Sequence, residues 1–200
     1  DIYVGYRYFE TFAQDRVMYP FGYGLSYTKF EIKYIDSKLE GSKINLKIEV
    51  VNKGEVEGKE VVQVYMSAPM GKLGKPFKSL IAYQKTQKLK PNESQILYFS
   101  SDWREGASFD DVGVSGYPYS FVLESGTYHI HVGNSVRETH VALTFDLSET
   151  VLLEKLESAL APATPFKRLK PMEMEGRIQI GYENTPLRSY DLSTRVSTSI

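Results

Sequence analysis

The 200-residue chain has no cysteine, so disulfides, thiolate catalysis, zinc fingers and iron–sulfur clusters are excluded. Long apolar runs are also missing. Nothing approaches the roughly 18 residues that a membrane-spanning helix needs, and no membrane partner is expected. Neither sign of charge is in surplus. Lysine and arginine total 24 against 25 aspartates and glutamates. Without a basic excess to neutralise phosphates, nucleic acid is not an expected partner. No phosphate loop, dinucleotide fingerprint or histidine-backed serine triad occurs, and no cofactor is expected. There is no internal repeat or low-complexity run. The chain begins at Asp1 without a charged-then-apolar leader, and it reads as a piece of a longer protein. A bacterial cytoplasm is the expected setting.

What remains is globular. Hydrophobic residues make up 42% and charged residues 24%, which rules out wholesale disorder. The length suits one domain with attached pieces. Aromatic residues are concentrated at the start: ten of them fall in residues 1–30. Tyr3 to Phe9 reads as a strand, and Tyr19-Pro20-Phe21-Gly22-Tyr23-Gly24-Leu25 as a turn-rich approach to the next element. Thirty residues cannot build a core alone. Burying ten aromatics is worth roughly 15–30 kcal/mol, against a typical net domain stability of about 5–15 kcal/mol. The lead segment should therefore lie against something.

Strand patterns fill residues 28–147. Phe30, Ile32 and Tyr34 alternate with Glu31, Lys33 and Ile35, and Ile44, Leu46, Ile48 and Val50 alternate with Asn45, Lys47 and Glu49. Further strands are marked by Val61–Met66, Ile81 and Tyr83, Ile96–Phe99, Thr127–Val132 and Arg137–Phe145. Seven strands without an interrupting helical pattern make an all-β, antiparallel β-sandwich. The long loop 104–120 is of a length that usually carries packing or binding duties. Asp146-Leu147-Ser148-Glu149 fits a capping box, and Leu152, Leu156 and Leu160 follow at helical spacing. A short C-terminal helix is therefore expected, ended by Pro162. Pro165, Pro171 and Pro186 then suggest an extended connector. The division is 1–27, 28–147 and 148–200.

Four groups of residues could carry chemistry. A two-residue turn at Asn134-Ser135 would pair 131 with 138 and 129 with 140. That would gather His129, His131, His140 and Glu138 as zinc ligands, but a solvated sheet face is the preferred reading and no metal is assigned. Ser101-Asp102-Trp103, with Glu105, Asp110 and Asp111 nearby, could supply a glycosidase carboxylate. Nothing fixes a pair, and no catalytic residue is assigned. Asn92-Glu93-Ser94 matches a glycosylation acceptor and indicates a surface turn. The fourth group is Tyr6, Arg7, Tyr8, Phe9, Phe21 and Tyr23. These are the candidate inter-domain or sugar contacts; rings can stack on carbohydrate, but inter-domain packing is preferred.

Asp1-Ile2-Tyr3-Val4-Gly5-Tyr6-Arg7-Tyr8-Phe9-Glu10-Thr11-Phe12, followed by Tyr19-Pro20-Phe21-Gly22-Tyr23-Gly24-Leu25-Ser26-Tyr27-Thr28, resembles glycoside hydrolase family 3. Asn52-Lys53-Gly54, Gly58–Tyr65, Leu89–Ser94, Gly126-Thr127-Tyr128 and Val132-Gly133-Asn134-Ser135 extend the likeness to residue 147. The resemblance implies that residues 1–27 end an α/β-sandwich domain and lead into a fibronectin type III-like, immunoglobulin-like sandwich. Ala161-Pro162, Pro165–Arg168 and Pro186–Leu192 are similar to the connector of permuted members, in which this module precedes the barrel domain. The implied parent activity is retaining hydrolysis of β-linked sugars, β-glucosidase-like. Its nucleophile and acid/base would lie in other domains, so Asp102 and Glu10 do not inherit those roles. The expected function is an inter-domain scaffold whose 104–120 loop shapes an active-site rim. Its partners would be the catalytic domains of the same parent chain, with a carbohydrate-binding module as the alternative.

Overall fold

The computed structural model describes residues 2–158, 161–174 and 176–187. Seven strands form the sandwich, all seven where the sequence patterns place them. They are β1 (Phe30–Glu40), β2 (Lys43–Asn52), β3 (Val61–Ser67), β4 (Ser79–Lys85), β5 (Ser94–Asp102), β8 (Gly126–Gly133) and β9 (Thr139–Leu147). One sheet runs in the order β1-β2-β5 and the other β4-β3-β8-β9, with every pairing antiparallel. The alternation in β2 does the work expected of it. Ile44, Leu46, Ile48 and Val50 are buried against Val62, Val64 and Met66 of β3, Leu97 and Phe99 of β5, and Ile130 and Val132 of β8. Tyr128 stacks on Phe145 at 5.1 Å, and its hydroxyl donates to the Glu124 carbonyl at 2.8 Å. A buried tyrosine needs such a partner for its polar end.

The long loop contains a 3-10 turn (Trp103–Gly106) and the short strand β6 (Ser108–Asp110). β6 pairs with β7 (Ser120–Leu123), whose other edge takes β10 (Val151–Lys155). The C-terminal helix predicted from Leu152 and Leu156 is thus a strand, and Leu160 lies outside the described residues. Asp146 and Leu147 are the last residues of β9, so the supposed cap is already paired in the sheet. Val151 and Leu153 then pack against the core as a strand neighbour of β7. Pairing with β7 outweighs local helix propensity. The predicted extended connector is likewise ordered differently. It forms a hairpin of β11 (Lys167–Met174) and β12 (Arg177–Asn184), held to the long loop by Arg168, which ion-pairs with Asp111 and with Glu183.

The histidine register also differs. Gly133 pairs with Thr139, His131 with Val141 and His129 with Thr144, so His140 sits opposite Val132 rather than His129. The turn is longer than two residues because Arg137 is drawn toward the lead segment and Glu138 N donates to Ser135 Oγ at 3.0 Å. Gly133 is needed here, since a Cβ would meet the Glu138 carbonyl oxygen at 1.9 Å. A bulge at Ile130/His131 also leaves Val141 52% exposed. Among the described residues no group of three His, Asp or Glu is placed to hold a metal.

His131 is half-buried, with Ser67 Oγ 3.0 Å from its Nε2. Burial, together with the charges of Lys78, His129 and His140, lowers its pKa from 6.5 to about 4. The unfolded chain takes up this proton near pH 6.5 and the folded chain only near pH 4. Stability from this group is therefore present above 6.5 and is lost as the pH falls toward 4. Urea midpoints of the wild-type chain should drop over that window by an equivalent of about 1 kcal/mol, because solvent around the half-buried ring screens much of the effect. His131→Gln should flatten the drop; an unchanged slope would show that other groups control it.

Candidate functional site

Residues 3–9 do not form a strand. Gly5, at φ 58°, starts a helix, α1 (Tyr6–Phe12). The period-2 pattern of Tyr6 and Tyr8 conceals a period of 3.6, on which half-buried Tyr6 and buried Glu10 and Ala13 share one face. Seven residues cannot hold a helix alone, so tertiary contacts hold this one. Tyr6 Oη accepts from Leu80 N at 2.8 Å. The Glu10 carboxylate, 4% exposed, accepts twice from Arg137 Nε at 3.1 Å, and Arg137 Nη2 donates to the Gln14 carbonyl at 2.8 Å. A buried carboxylate requires such a cation. This ties the start of the chain to the β8–β9 turn across more than a hundred residues.

The turn-rich segment docks at the same place. Val136 N donates to the Phe21 carbonyl at 2.9 Å. Gly22 has φ 90°, and a Cβ there would lie 2.8 Å from Ser135 Cα and 2.9 Å from the Asn134 carbonyl oxygen. Only glycine fits both the dihedral and the approach. Gln63 Nε2 donates to the same Asn134 carbonyl at 2.8 Å, while its Oε1 accepts from Tyr65 Oη. Tyr6 stacks on Phe21 at 4.8 Å and meets Tyr65 edge-on at 6.1 Å. Three stretches remote in sequence, around residues 6–22, 63–65 and 133–137, therefore meet in one junction.

The candidate contacts divide by exposure. Tyr6, Arg7 and Tyr8 are half-buried, and Tyr8 packs on Phe9 and Phe12. Phe9, Phe21 and Tyr23 are exposed. Beyond the junction the chain carries a run of exposed apolar side chains: Met18 at 82%, Tyr19 at 64%, Tyr23 at 50%, Leu25 at 93% and Tyr27 at 98%. Tyr19 and Tyr23 contact one another at 5.0 Å. Sequence reasoning named the rings but missed Glu10, Arg137 and Gln63, which hold the junction. The clue available was an acidic residue set among aromatics at helical spacing from Tyr6 and Ala13.

The carboxylates near Trp103 serve structure. Asp102 caps the 3-10 turn, accepting from Arg104 N at 3.0 Å and Ser42 Oγ at 3.1 Å, and ion-pairs with Arg104. Hydrogen bonds from the Arg104 side chain hold its carboxyl well below the usual carboxylate range. Asp110, fully buried, accepts from the amides of Val112, Gly113, Val114 and Ser115 and from the Ser115 hydroxyl. Both carboxylates spend their lone pairs on their own chain. Asn92, at φ 63°, sits in an exposed turn.

Residues 60–136 match the fibronectin type III-like domain family, in accord with the three- and four-stranded sheets. A β-glucosidase of Ruminococcus albus is 47% identical over 195 residues, which is 98% of this chain and 20% of that protein. Residues 60–136 thus belong to the fibronectin type III-like domain family, and the chain as a whole is similar to one part of family 3 β-glucosidases. The structure of a β-glucosidase from Paenibacillus barengoltzii superposes with a TM-score of 0.93 at 45% identity, over 98% of the module and 22% of that chain. A family 3 β-glucosidase of Bifidobacterium adolescentis matches with a TM-score of 0.60 at 29% identity, over 79% of the module and 23% of that chain. The module thus spans about a fifth of the length of these relatives.

Proposed function

We propose that the module is a non-catalytic scaffold within a longer enzyme that hydrolyses β-glycosidic bonds, and that its 17–27 strip docks against the catalytic domains of that chain. The observation that carries this reading is the strip itself. It is apolar and exposed, and it is anchored at Phe21 and Gly22 to a rigid sheet turn. A contiguous apolar run held in water marks an interaction surface. Each large side chain that passes from exposed to buried contributes about 1.5–3 kcal/mol. The relatives are named as β-glucosidases and run to about five times the length of the module, which supports both the substrate class and the presence of further domains. Sugar binding by Tyr6 and Tyr8 is the weaker reading, because the ring of Tyr6 is engaged with Phe21 and Tyr65 and that of Tyr8 with Phe9 and Phe12.

The 200-residue chain, incubated with 4-nitrophenyl β-glucoside, is expected to release no nitrophenol above the buffer blank. Release that disappears in Asp102→Asn would overturn the non-catalytic reading.

A further inference from the structure

The proposed docking role leaves the buried amine of Lys75 unused. Lys75 lies in the β3–β4 connection and is 5% exposed. Lysine is almost never buried without a partner. Its Nζ donates to the Gly106 carbonyl at 2.6 Å. The nearest negative influence is Glu124, whose carboxylate is committed to Lys72 N and Leu73 N at 2.6 and 3.2 Å. Lys75 lines a cavity of about 880 Å³ between the four-stranded sheet, the long loop and the β11–β12 hairpin. That volume falls within the range of small-molecule sites, about 300–1,000 Å³. Met66, Leu73, Phe109 and Phe121 give it an apolar wall.

The other charged groups around the cavity are Arg7, Glu105, Asp111, Glu157, Arg168 and Glu183. Asp111 and Glu183 are bound to Arg168, and Glu105 completes the cap at Asp102. These three are committed elsewhere, and Glu157, the fourth acid, is engaged as well. Burial lowers the Lys75 pKa from 10.5 to about 8, against a smaller upward pull from Glu124. A desolvated amine of this kind is the usual setting for imine formation.

We infer that Lys75 is an amine site for small apolar aldehydes, which enter the cavity and condense with Nζ. The unprotonated nitrogen attacks the carbonyl carbon and a C–N bond forms. The carbonyl oxygen leaves as water with the two amine protons, and an imine remains. Added cyanoborohydride, with a proton from solvent, converts the imine to a stable secondary amine. The site lies apart from the 17–27 strip and stands or falls independently of the docking proposal.

The test is reductive labelling of the intact 200-residue chain with benzaldehyde and cyanoborohydride, read by peptide mass spectrometry. At pH 7 an amine of pKa near 8 is about 9% neutral, whereas an ordinary lysine is about 0.03% neutral. Lys75 is expected to label at least tenfold faster than the exposed lysines. Between pH 7 and pH 9 its rate should rise about tenfold and theirs about a hundredfold. A Lys75 that stays unlabelled while exposed lysines react would overturn the proposal. So would a Lys75 rate that climbs a hundredfold with the rest.

Discussion

Replacing Asp110 by alanine is expected to lower stability by about 4 kcal/mol. For a chain of this size that corresponds to a fall of about 8–16 °C in the melting midpoint. Two oxygens accept five hydrogen bonds, four from consecutive amides, with lengths from 2.6 to 3.3 Å. Truncation takes the buried acceptor away from all of these donors at once, on a loop whose residues 112–115 are half-buried or exposed. Burial alone would raise the carboxyl pKa, but the bonds from Ser115, Gly113 and Val114 outweigh it and the net shift is downward. The Asp110 contribution is therefore present at neutral pH and is lost as acid protonates the folded chain. Asp110→Asn keeps one acceptor oxygen and should fall between wild type and alanine. Calorimetry on the three proteins at pH 7 decides it: a midpoint for Asp110→Ala within 3 °C of wild type would show that the loop is held by something else. Because Asp111 follows directly and pairs with Arg168, the alanine variant should also loosen the β11–β12 hairpin. Faster proteolytic cleavage in residues 111–118 and 167–184 would report both losses.

The sandwich was legible in the sequence because its signal is one-dimensional. Alternation in Ile44–Val50 and the glycines around the turns depend on residues within one strand and its neighbour. The failures share a different cause. Tyr6–Phe12 is helical because Arg137, Leu80 and Phe21 meet it, and Val151–Lys155 is a strand because β7 offers an unpaired edge. Neither partner is visible in the local pattern, and local propensity loses to such contacts. The histidine register failed for a related reason, since turn length was set by Arg137 reaching Glu10 rather than by turn chemistry. Of the candidate site, the aromatic residues could be read directly because their density is a compositional fact. The division into half-buried Tyr6 and Tyr8 and exposed Tyr23, Leu25 and Tyr27 could not. It depends on where the chain crosses the β8–β9 turn, which Gly22 decides through a contact rather than a pattern.

The Asn52 side chain is the second point at which a single substitution should cost several kcal/mol. It sits at the end of β2, fully buried, and connects four segments. Oδ1 accepts from Thr28 Oγ1 at 2.6 Å and Gly54 N at 3.1 Å, and Nδ2 donates to the Val56 and Leu89 carbonyls, both at 2.9 Å. Asn52→Ala leaves the Thr28 hydroxyl, Gly54 N and the Val56 carbonyl without these partners, at an expected cost of about 3 kcal/mol. Leu89 suffers less, because its carbonyl also accepts from Gly58 N at 3.1 Å. Asn52→Asp should be worse than alanine at pH 7. It keeps Oδ1 but turns a carboxylate oxygen toward two carbonyl oxygens, so that like dipoles face a buried charge. Protonation would restore a donor, and Asn52→Asp should therefore regain part of its deficit at pH 4 while Asn52→Ala does not. Urea unfolding of both variants at the two pH values separates these outcomes; an aspartate variant as stable as wild type at pH 7 would refute the assigned orientation of the amide. Thr28 directly follows Tyr27, so losing its anchor should also free the distal end of the 17–27 strip. Amide hydrogen exchange should then speed up at Ser26–Lys29 in both variants while Val136, bonded to Phe21 at the other end, keeps its protection.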